Sequence, residues 1–187
     1  MTLLILGLLL WWAAHLFPIA AKPRRDALAA KIGEGPYKGA FALLTLGTVA
    51  LMVIGYQSAD YIHVWSPPPF LNHLNNLLMV LAVALFIAKD IPSIVRRKLR
   101  HPQLAGVKVW ALAHLLVNGD VASIVLFGGL LLWAVAAMIG SNKRDGKGEI
   151  TRTATTVGLA IHVVATLVVF GVIAMIHNWA GVSPFPG

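Results

Sequence analysis

The chain has 187 residues, of which 58% are apolar and 12% charged, with a formal net charge of +8 and no cysteine. A soluble globular chain carries about 25% charged residues, so this composition excludes a water-soluble monomer, and its high apolar content excludes a disordered chain. The lack of cysteine excludes disulfides, zinc–thiolate sites, iron–sulfur clusters and thiol nucleophiles.

Six apolar runs follow one another along the chain and predict membrane-spanning helices. A helix needs about 20 apolar residues to cross the hydrocarbon layer, and all runs except the fourth come near that length. In chain order they cover residues 1–21, 39–56, 71–88, 109–117, 121–140 and 155–176. The first run lacks a preceding basic region, so we expect a retained helix and not a signal peptide. The fold class is therefore all-α, an integral membrane bundle of about six transmembrane helices, in a single domain over residues 1–187.

The basic residues are confined to three of the segments between these runs. All 15 Lys and Arg side chains lie within residues 22–38, 89–108 and 143–152. Cytoplasmic loops of membrane proteins carry the excess of Lys and Arg, so the pattern predicts three cytoplasmic loops and both termini outside. The positive charge then reflects multi-pass topology and contact with anionic membrane lipid, and nucleic acid is not an expected partner.

The fourth run is too short if Lys108 marks the membrane interface. Asn118 lies only ten positions after Lys108, about 15 Å of helix and half a bilayer. Either the helix begins at Pro102 and Lys108 extends to the interface, which we favour, or residues 118–120 turn inside the membrane within a protein shell. In both cases Asn118 and Asp120 are polar groups in apolar surroundings, and such groups are usually paired and functional.

Three histidines lie inside the apolar runs, namely His15, His114 and His162. Neutral imidazoles from facing helices commonly hold haem iron in helical bundles. A proton relay would need carboxylates at the same depth, and hydrogen bonding to backbone carbonyls for packing is the third interpretation. Trp11 and Trp110 stand four residues before His15 and His114, which places indole and imidazole on one helix face.

Other common catalytic patterns are missing from the sequence. It has no Gly-rich phosphate loop, no Ser–His–Asp set and no paired carboxylates, so a hydrolase is not expected. A transporter would usually show internal repeats, and none is convincing here.

Several stretches together resemble one family. They are Arg100-His101-Pro102-Gln103-Leu104, the block WALAHLLVNGD at 110–120, SIVLFGGLLLW at 123–133, and the segment from Ala14-His15 through Gly33-Glu34 to Tyr37. This pattern resembles the NnrU family over nearly the whole chain. The resemblance implies a bacterial inner-membrane protein linked to denitrification, in nitrite and nitric oxide metabolism.

The NnrU family is itself similar to 15-cis-zeta-carotene isomerase, a membrane haem b protein that isomerises a double bond after reduction of its iron. That similarity implies His15 and His114 as haem ligands. The alternative cysteine ligand of that enzyme falls at Ala111 here, so a switch to a thiolate ligand is not expected. Arg100, His101 and Gly106 also resemble a motif of isoprenylcysteine and phospholipid methyltransferases, but the paired acidic motif of those enzymes does not follow.

The resulting hypothesis is haem b, its iron bound by His15 and His114, in a redox-dependent, isomerase-like protein acting on a polyene-like hydrophobic substrate. Whether the chain is an enzyme stays open. The alternatives are a non-enzymatic membrane factor that assists a nitrogen-oxide reductase complex, and a relative of the membrane methyltransferases. Additional candidate site residues are His162, Trp110, Asn118, Asp120, Arg100 and His101.

Overall fold

The computed structural model describes residues 1–146 and 153–185. Within these ranges the chain forms eight α-helices and no strand. They are α1 (Thr2–Ala20), α2 (Lys22–Ile32), α3 (Glu34–Gln57), α4 (Leu71–Ile87), α5 (Ile94–Lys98), α6 (Pro102–Val117), α7 (Val121–Asp145) and α8 (Thr156–Trp179). Each of the six apolar runs coincides with one of the longer helices, so the predicted all-helical fold is confirmed.

Four helices, α1, α3, α7 and α8, are long and apolar enough to cross a membrane. The remaining two apolar helices, α4 and α6, have 17 and 16 residues. At about 1.5 Å per residue they are roughly 25 Å long, somewhat less than the hydrocarbon thickness of about 30 Å. The chain thus has the helices of a membrane protein, while the count of six spans and the outward termini stay predictions.

The outward faces of these helices are rich in large apolar side chains. Leu43, Leu46 and Met175 are 72%, 66% and 71% exposed. Only 11% of the apolar stretch of α8 is buried inside the protein. Such apolar surface is unfavourable in water but matches lipid tails, which explains why the composition contains so few charges.

The chain divides into two compact units. The first contains Met1–Val64 and Asp120–Gly146, with α1, α2, α3 and α7. The second contains Trp65–Gly119 and the described part of Lys147–Gly187, with α4, α5, α6 and α8. The assignment of residues 1–187 to a single domain stays a prediction.

In the first unit, α1 and α3 approach each other at glycine positions. A Cβ atom on Gly55 would lie 2.2 Å from the backbone nitrogen of Leu4, and one on Gly7 would lie 2.8 Å from Cγ of Met52. Small residues at such crossings let backbones come close, which is how membrane helices gain packing energy without a hydrophobic drive. Trp12 ties α1 to α7, because its Nε1–H donates to the carbonyl of Gly129 over 3.1 Å.

In the second unit, α6 packs against α4 in a similar way. A Cβ on Gly106 would lie 2.8 Å from the carbonyl oxygen of Ala82. At the start of α8, a Cβ on Gly158 would lie 2.2 Å from the carbonyl oxygen of Pro92, and the backbone N–H of Thr155 donates to that same oxygen. These contacts fix α8 beside the residues that follow α4.

Two of the basic segments that we interpreted as loops contain helices. Helix α2 follows α1 directly, with a proline in its first turn and Gly33 at φ +92° after its last residue. Its polar surface carries ion pairs of Lys22 with Asp26 (2.6 Å) and of Arg25 with Glu34 (3.0 Å). Hydrogen bonds from Lys22 and Arg25 lower the pKa of the Asp26 carboxyl. The first pair is spaced i,i+4 within α2, and the second connects α2 to the first residue of α3.

The position where α6 begins explains why the fourth apolar run is short. This helix begins at Pro102, so Lys108 lies within it and the interpretation that we favoured for the helix start is confirmed. Proline suits the first helical position because its missing N–H would have no partner there. Asn118 and Asp120 are extended residues that link α6 to α7.

Candidate functional site

His15 lies on α1 inside an aromatic cluster of the first unit. Its ring stacks on Trp11, with centroids 3.9 Å apart and planes inclined by 29°. Trp133 of α7 and Phe41 of α3 meet the imidazole edge-on at 5.1 and 5.3 Å. The predicted placement of Trp11 and His15 on one helix face is therefore confirmed, and Trp133 joins them from a distant part of the sequence.

The His15 imidazole is held by its own helix. Nδ1 lies 3.0 Å from the carbonyl oxygen of Trp11. A carbonyl only accepts, so Nδ1 carries the proton, and in the neutral ring Nε2 then carries the lone pair. Metal-bound histidines usually donate their other ring N–H to a carbonyl or carboxylate in this manner. His15 therefore has the tautomer of a ligand.

His114 repeats this arrangement in the second unit. Its Nδ1 donates to the carbonyl of Trp110 over 2.9 Å, and the two ring centroids are 5.1 Å apart. The lone pair of the neutral ring again belongs to Nε2. Asn118 follows one turn later, and its amide donates to the carbonyl of His114 over 2.8 Å. The backbone N–H of Asn118 donates to the same carbonyl over 3.0 Å, so Asn118 closes the last turn of α6 with two bonds.

An apolar cavity of about 240 Å³ lies beside this segment, between α4, α6 and α8 of the second unit. Trp110 and His177 are the two lining residues whose aromatic rings carry nitrogen atoms. The rest of the wall is apolar and includes Met79, Val83, Phe86 and Ile173. His177 also has the ligand-type tautomer, since its Nδ1 donates to the carbonyl of Ile173 over 2.8 Å. His177 directly follows the last apolar run, and the sequence gives no indication that it lines a cavity.

His162 differs from the other two apolar-layer histidines. Its Nε2, not Nδ1, donates to a carbonyl, that of Ala84, over 2.7 Å, and its side chain is 3% exposed. Ala84 belongs to the last turn of α4, whose carbonyls lack intrahelical partners. His162 therefore joins α8 to the end of α4. Its role as an additional ligand stays a prediction, and a packing role accounts for its burial.

Asp120 is buried, and its carboxylate is fully engaged within the first unit. It caps α7 by accepting the N–H of Ser123 over 2.9 Å, and it also accepts the Ser123 hydroxyl. The Tyr56 hydroxyl lies 2.8 Å from that same Ser123 oxygen and must be the donor there. The expectation that Asp120 is paired is confirmed, and the pairing is one that stabilises a helix start.

Arg100 and His101 lie at the start of α6 in the second unit. His101 occupies the N-cap position without a side-chain capping bond. Over residues 1–146 and 153–185, no group of three or more His, Cys, Asp or Glu side chains could hold a metal ion. A site with two imidazole ligands, such as that of haem, remains compatible with these residues.

Taken one at a time, His15 and His114 each have the chemistry of a haem-iron ligand. His15 and His114 are neutral-type imidazoles with Nε2 as the basic nitrogen, and each has an indole one turn before it. Axial ligation by histidine with a second hydrogen bond to the protein is a common way to hold haem. His15 belongs to the first unit and His114 to the second. Their joint ligation of one iron stays a prediction.

Comparison with known proteins gives one match. No curated protein and no solved structure matches the chain. The family model described as NnrU protein matches residues 3–184, nearly the whole length. The chain therefore belongs to the NnrU family.

Proposed function

We propose that this chain is a bacterial inner-membrane protein that supports denitrification and binds haem b through His15 and His114. Family membership supports the association with denitrification and with a membrane. The haem and the activity that it would support, a redox-dependent isomerisation of a polyene-like lipid, are the further steps of the proposal.

The main support for this proposal is the geometry that two Trp-x-x-x-His segments share. In both, the imidazole donates Nδ1–H to the carbonyl four residues earlier, over 3.0 Å at His15 and 2.9 Å at His114. This bond orients the ring and leaves Nε2 as the only nitrogen able to bind a metal. The indole beside each ring provides an apolar flat surface that excludes water.

When bound, haem b would supply an iron that changes oxidation state and can activate a conjugated double bond. The chain's own part is to hold the imidazoles neutral and aligned and to keep water away. In a membrane interior a charged ligand would be costly, so neutral imidazole is the suitable donor.

The cavity of the second unit supports an apolar substrate. Its volume of about 240 Å³ exceeds the roughly 150 Å³ of an engineered apolar cavity that takes up benzene. It therefore accommodates part of a hydrocarbon chain, and Phe86 and Trp110 in its wall offer π-surfaces to conjugated bonds.

The test is the visible spectrum of the purified full-length chain with and without dithionite. We expect a stoichiometric Soret band that sharpens on reduction, as for two imidazole ligands. His15→Gly and His114→Gly should each abolish the six-coordinate spectrum, and added imidazole should restore it. A preparation supplied with haem that shows no stoichiometric Soret band would refute the haem proposal.

His162→Ala is the matched control, because it removes a buried histidine that uses Nε2, and not Nδ1, for its hydrogen bond to the protein. It should lower stability and leave the spectrum unchanged. His63→Ala, in the exposed segment before α4, should change neither. A haem-loaded protein that turns over no polyene would favour the alternative of a non-enzymatic factor for a nitrogen-oxide reductase complex.

A further inference from the structure

The apolar cavity of the second unit has one imidazole in its wall, that of His177. The described residues that line the cavity include no Asp, Glu, Lys or Arg, and His177 is the one titratable group among them. Its Nδ1 donates to the carbonyl of Ile173 over 2.8 Å, so the lone pair of the neutral ring lies on Nε2. A wall of this kind suits a neutral molecule that is apolar over most of its surface.

The part of the wall formed by α8 places His177 at one end of an apolar stripe. Val169, Ile173 and His177 follow one another at four-residue spacing, so they lie on one face of α8. From Val169 to His177 the stripe is about 12 Å long. Trp179, the last residue of α8, is 90% exposed, as expected for an indole at the membrane interface. His177 therefore marks the interfacial end of the stripe, and Val169 its deeper end.

These features select an elongated amphiphile with a hydrogen-bond donor at its polar end. A neutral imidazole accepts from an O–H group but supplies no countercharge to a carboxylate or phosphate, which would be costly in an apolar wall. Val83 and Phe86 of α4 continue the apolar surface that a hydrocarbon chain would contact. A pure hydrocarbon would fill the cavity but would supply no donor to Nε2 of His177. An uncharged long-chain alcohol matches both the acceptor and the apolar wall.

We propose that this cavity binds a lipid alcohol, whose hydroxyl donates to Nε2 of His177 and whose hydrocarbon chain lies along Ile173 and Val169. The proposal rests on the proposed function in one respect, the occupancy of the cavity by a hydrocarbon chain. It adds the polar group that such a substrate carries. It does not depend on haem, because the residues that line the cavity include neither His15 nor His114.

The experiment uses the full-length chain in lipid nanodiscs at about pH 8, where imidazole is neutral, titrated with decanol or with decyl methyl ether. The two probes share a hydrocarbon chain and an oxygen atom, but only the alcohol has a donor. The ε-methyl ¹³C signal of Met79, a wall residue, reports occupancy of the cavity. The Nε2 ¹⁵N signal of His177 reports the hydrogen bond. Met52, buried against α1 in the first unit, provides the control methyl signal.

We expect both probes to move the Met79 signal, because both fill the cavity. Decanol alone should move the Nε2 signal of His177 upfield, as an accepted hydrogen bond does to an unprotonated imidazole nitrogen. The Met52 signal should respond to neither probe.

Substitutions test whether the hydrogen bond contributes to binding. His177→Phe keeps an aromatic ring but removes the acceptor, so the affinity for decanol, followed at Met79, should fall roughly 2- to 10-fold. The affinity for the ether should stay unchanged. His73→Phe, at an exposed histidine of α4 outside the cavity wall, is the matched control and should change neither affinity. If His177→Phe does not fold, the titration of the unmodified chain still decides.

Three outcomes would overturn the proposal of a lipid alcohol. An unchanged Met79 signal at saturating decanol means that the alcohol does not enter the cavity, which also removes the support for an apolar substrate. A Met79 signal that moves while His177 responds equally to both probes, or to neither, refutes the role of the hydroxyl and leaves the apolar substrate intact. Tighter binding of decanoate than of decanol would make the occupant an anion. None of these readouts uses the Soret band, so failure of the haem proposal is a separate result.

Discussion

Replacing Asp120 by alanine should destabilise the first unit more than any other single polar substitution that we consider. The carboxylate is 8% exposed and accepts both the N–H and the hydroxyl of Ser123. The Tyr56 hydroxyl on α3 then donates to Ser123 on α7 over 2.8 Å. One side chain thus caps a helix and fixes the direction of a hydrogen-bond chain between two helices.

The magnitude follows from these bonds. Loss of an N-cap costs about 0.5–2 kcal/mol, and a hydrogen bond to a charged group contributes about 1.5–3 kcal/mol. Because both bonds use one carboxylate, their costs overlap, and Asp120→Ala should lower the free energy of unfolding by about 2–4 kcal/mol. Asp120→Asn keeps an oxygen for the Ser123 N–H and should cost less than half as much. Tyr56→Phe removes only the interhelical bond, worth about 0.6 kcal/mol on average in membrane proteins.

The assay is reversible unfolding by SDS in mixed micelles, followed by circular dichroism. Asp60→Ala is the control, because Asp60 is an exposed carboxylate in the segment after α3 and its loss should fall within about 0.5 kcal/mol. Equal midpoints for Asp120→Ala and Asp60→Ala would refute the reasoning. So would a cost for Asp120→Asn as large as that for alanine, because the capping oxygen would then contribute nothing.

Three further outcomes follow from the contacts. Gly55→Ala should cost about 1–3 kcal/mol in the same unfolding assay, because its Cβ would overlap the α1 backbone, whereas Gly47→Ala, with open space around it, should be neutral or slightly stabilising. His162→Phe should cost about 1–3 kcal/mol by the same measurement, since it leaves a helix-end carbonyl buried without a donor. The hydrogen bond from Lys22 lowers the pKa of Asp26, so its stabilisation of α2 should be complete above the usual carboxyl pKa, decline as pH falls below that value, and be lost once pH passes the lowered pKa. Carboxyl NMR titration of the intact chain and of Lys22→Met should show the higher pKa in the variant.

The sequence predicted the long helices because the membrane imposes a single simple constraint on them. Backbone groups in hydrocarbon must bond within their own helix, so an apolar run of sufficient length has few alternatives. Helix α2 escaped prediction because its 11 residues contain no apolar run, and its ion pairs of Lys22 with Asp26 and of Arg25 with Glu34 leave no hydrophobic pattern. The start of α6 was predictable from Pro102, because the ring suits the first helical position, where no N–H donor is needed.

Local parts of the candidate site were equally predictable, and distant parts were not. Trp11 and His15 are four residues apart on one helix, so their contact follows from helix geometry alone. Trp133 reaches the same imidazole from α7, and only tertiary packing brings it there. The cavity position of His177 depends likewise on how α8 lies against α4 and α6. Residue spacing carries no signal for either of these contacts.

The three apolar-layer histidines look alike in sequence, and hydrogen bonding separates them. A histidine that donates Nδ1–H to a carbonyl of its own helix needs no neighbour, so its Nε2 carries the lone pair that a ligand would use, as at His15 and His114. A histidine that meets an unsatisfied carbonyl at the end of another helix uses the outer nitrogen, as His162 does at Ala84. Whether such a carbonyl lies opposite depends on where the neighbouring helix ends. The end of α4 therefore accounts for the packing contact of His162, while Nε2 of His15 and of His114 keeps its lone pair.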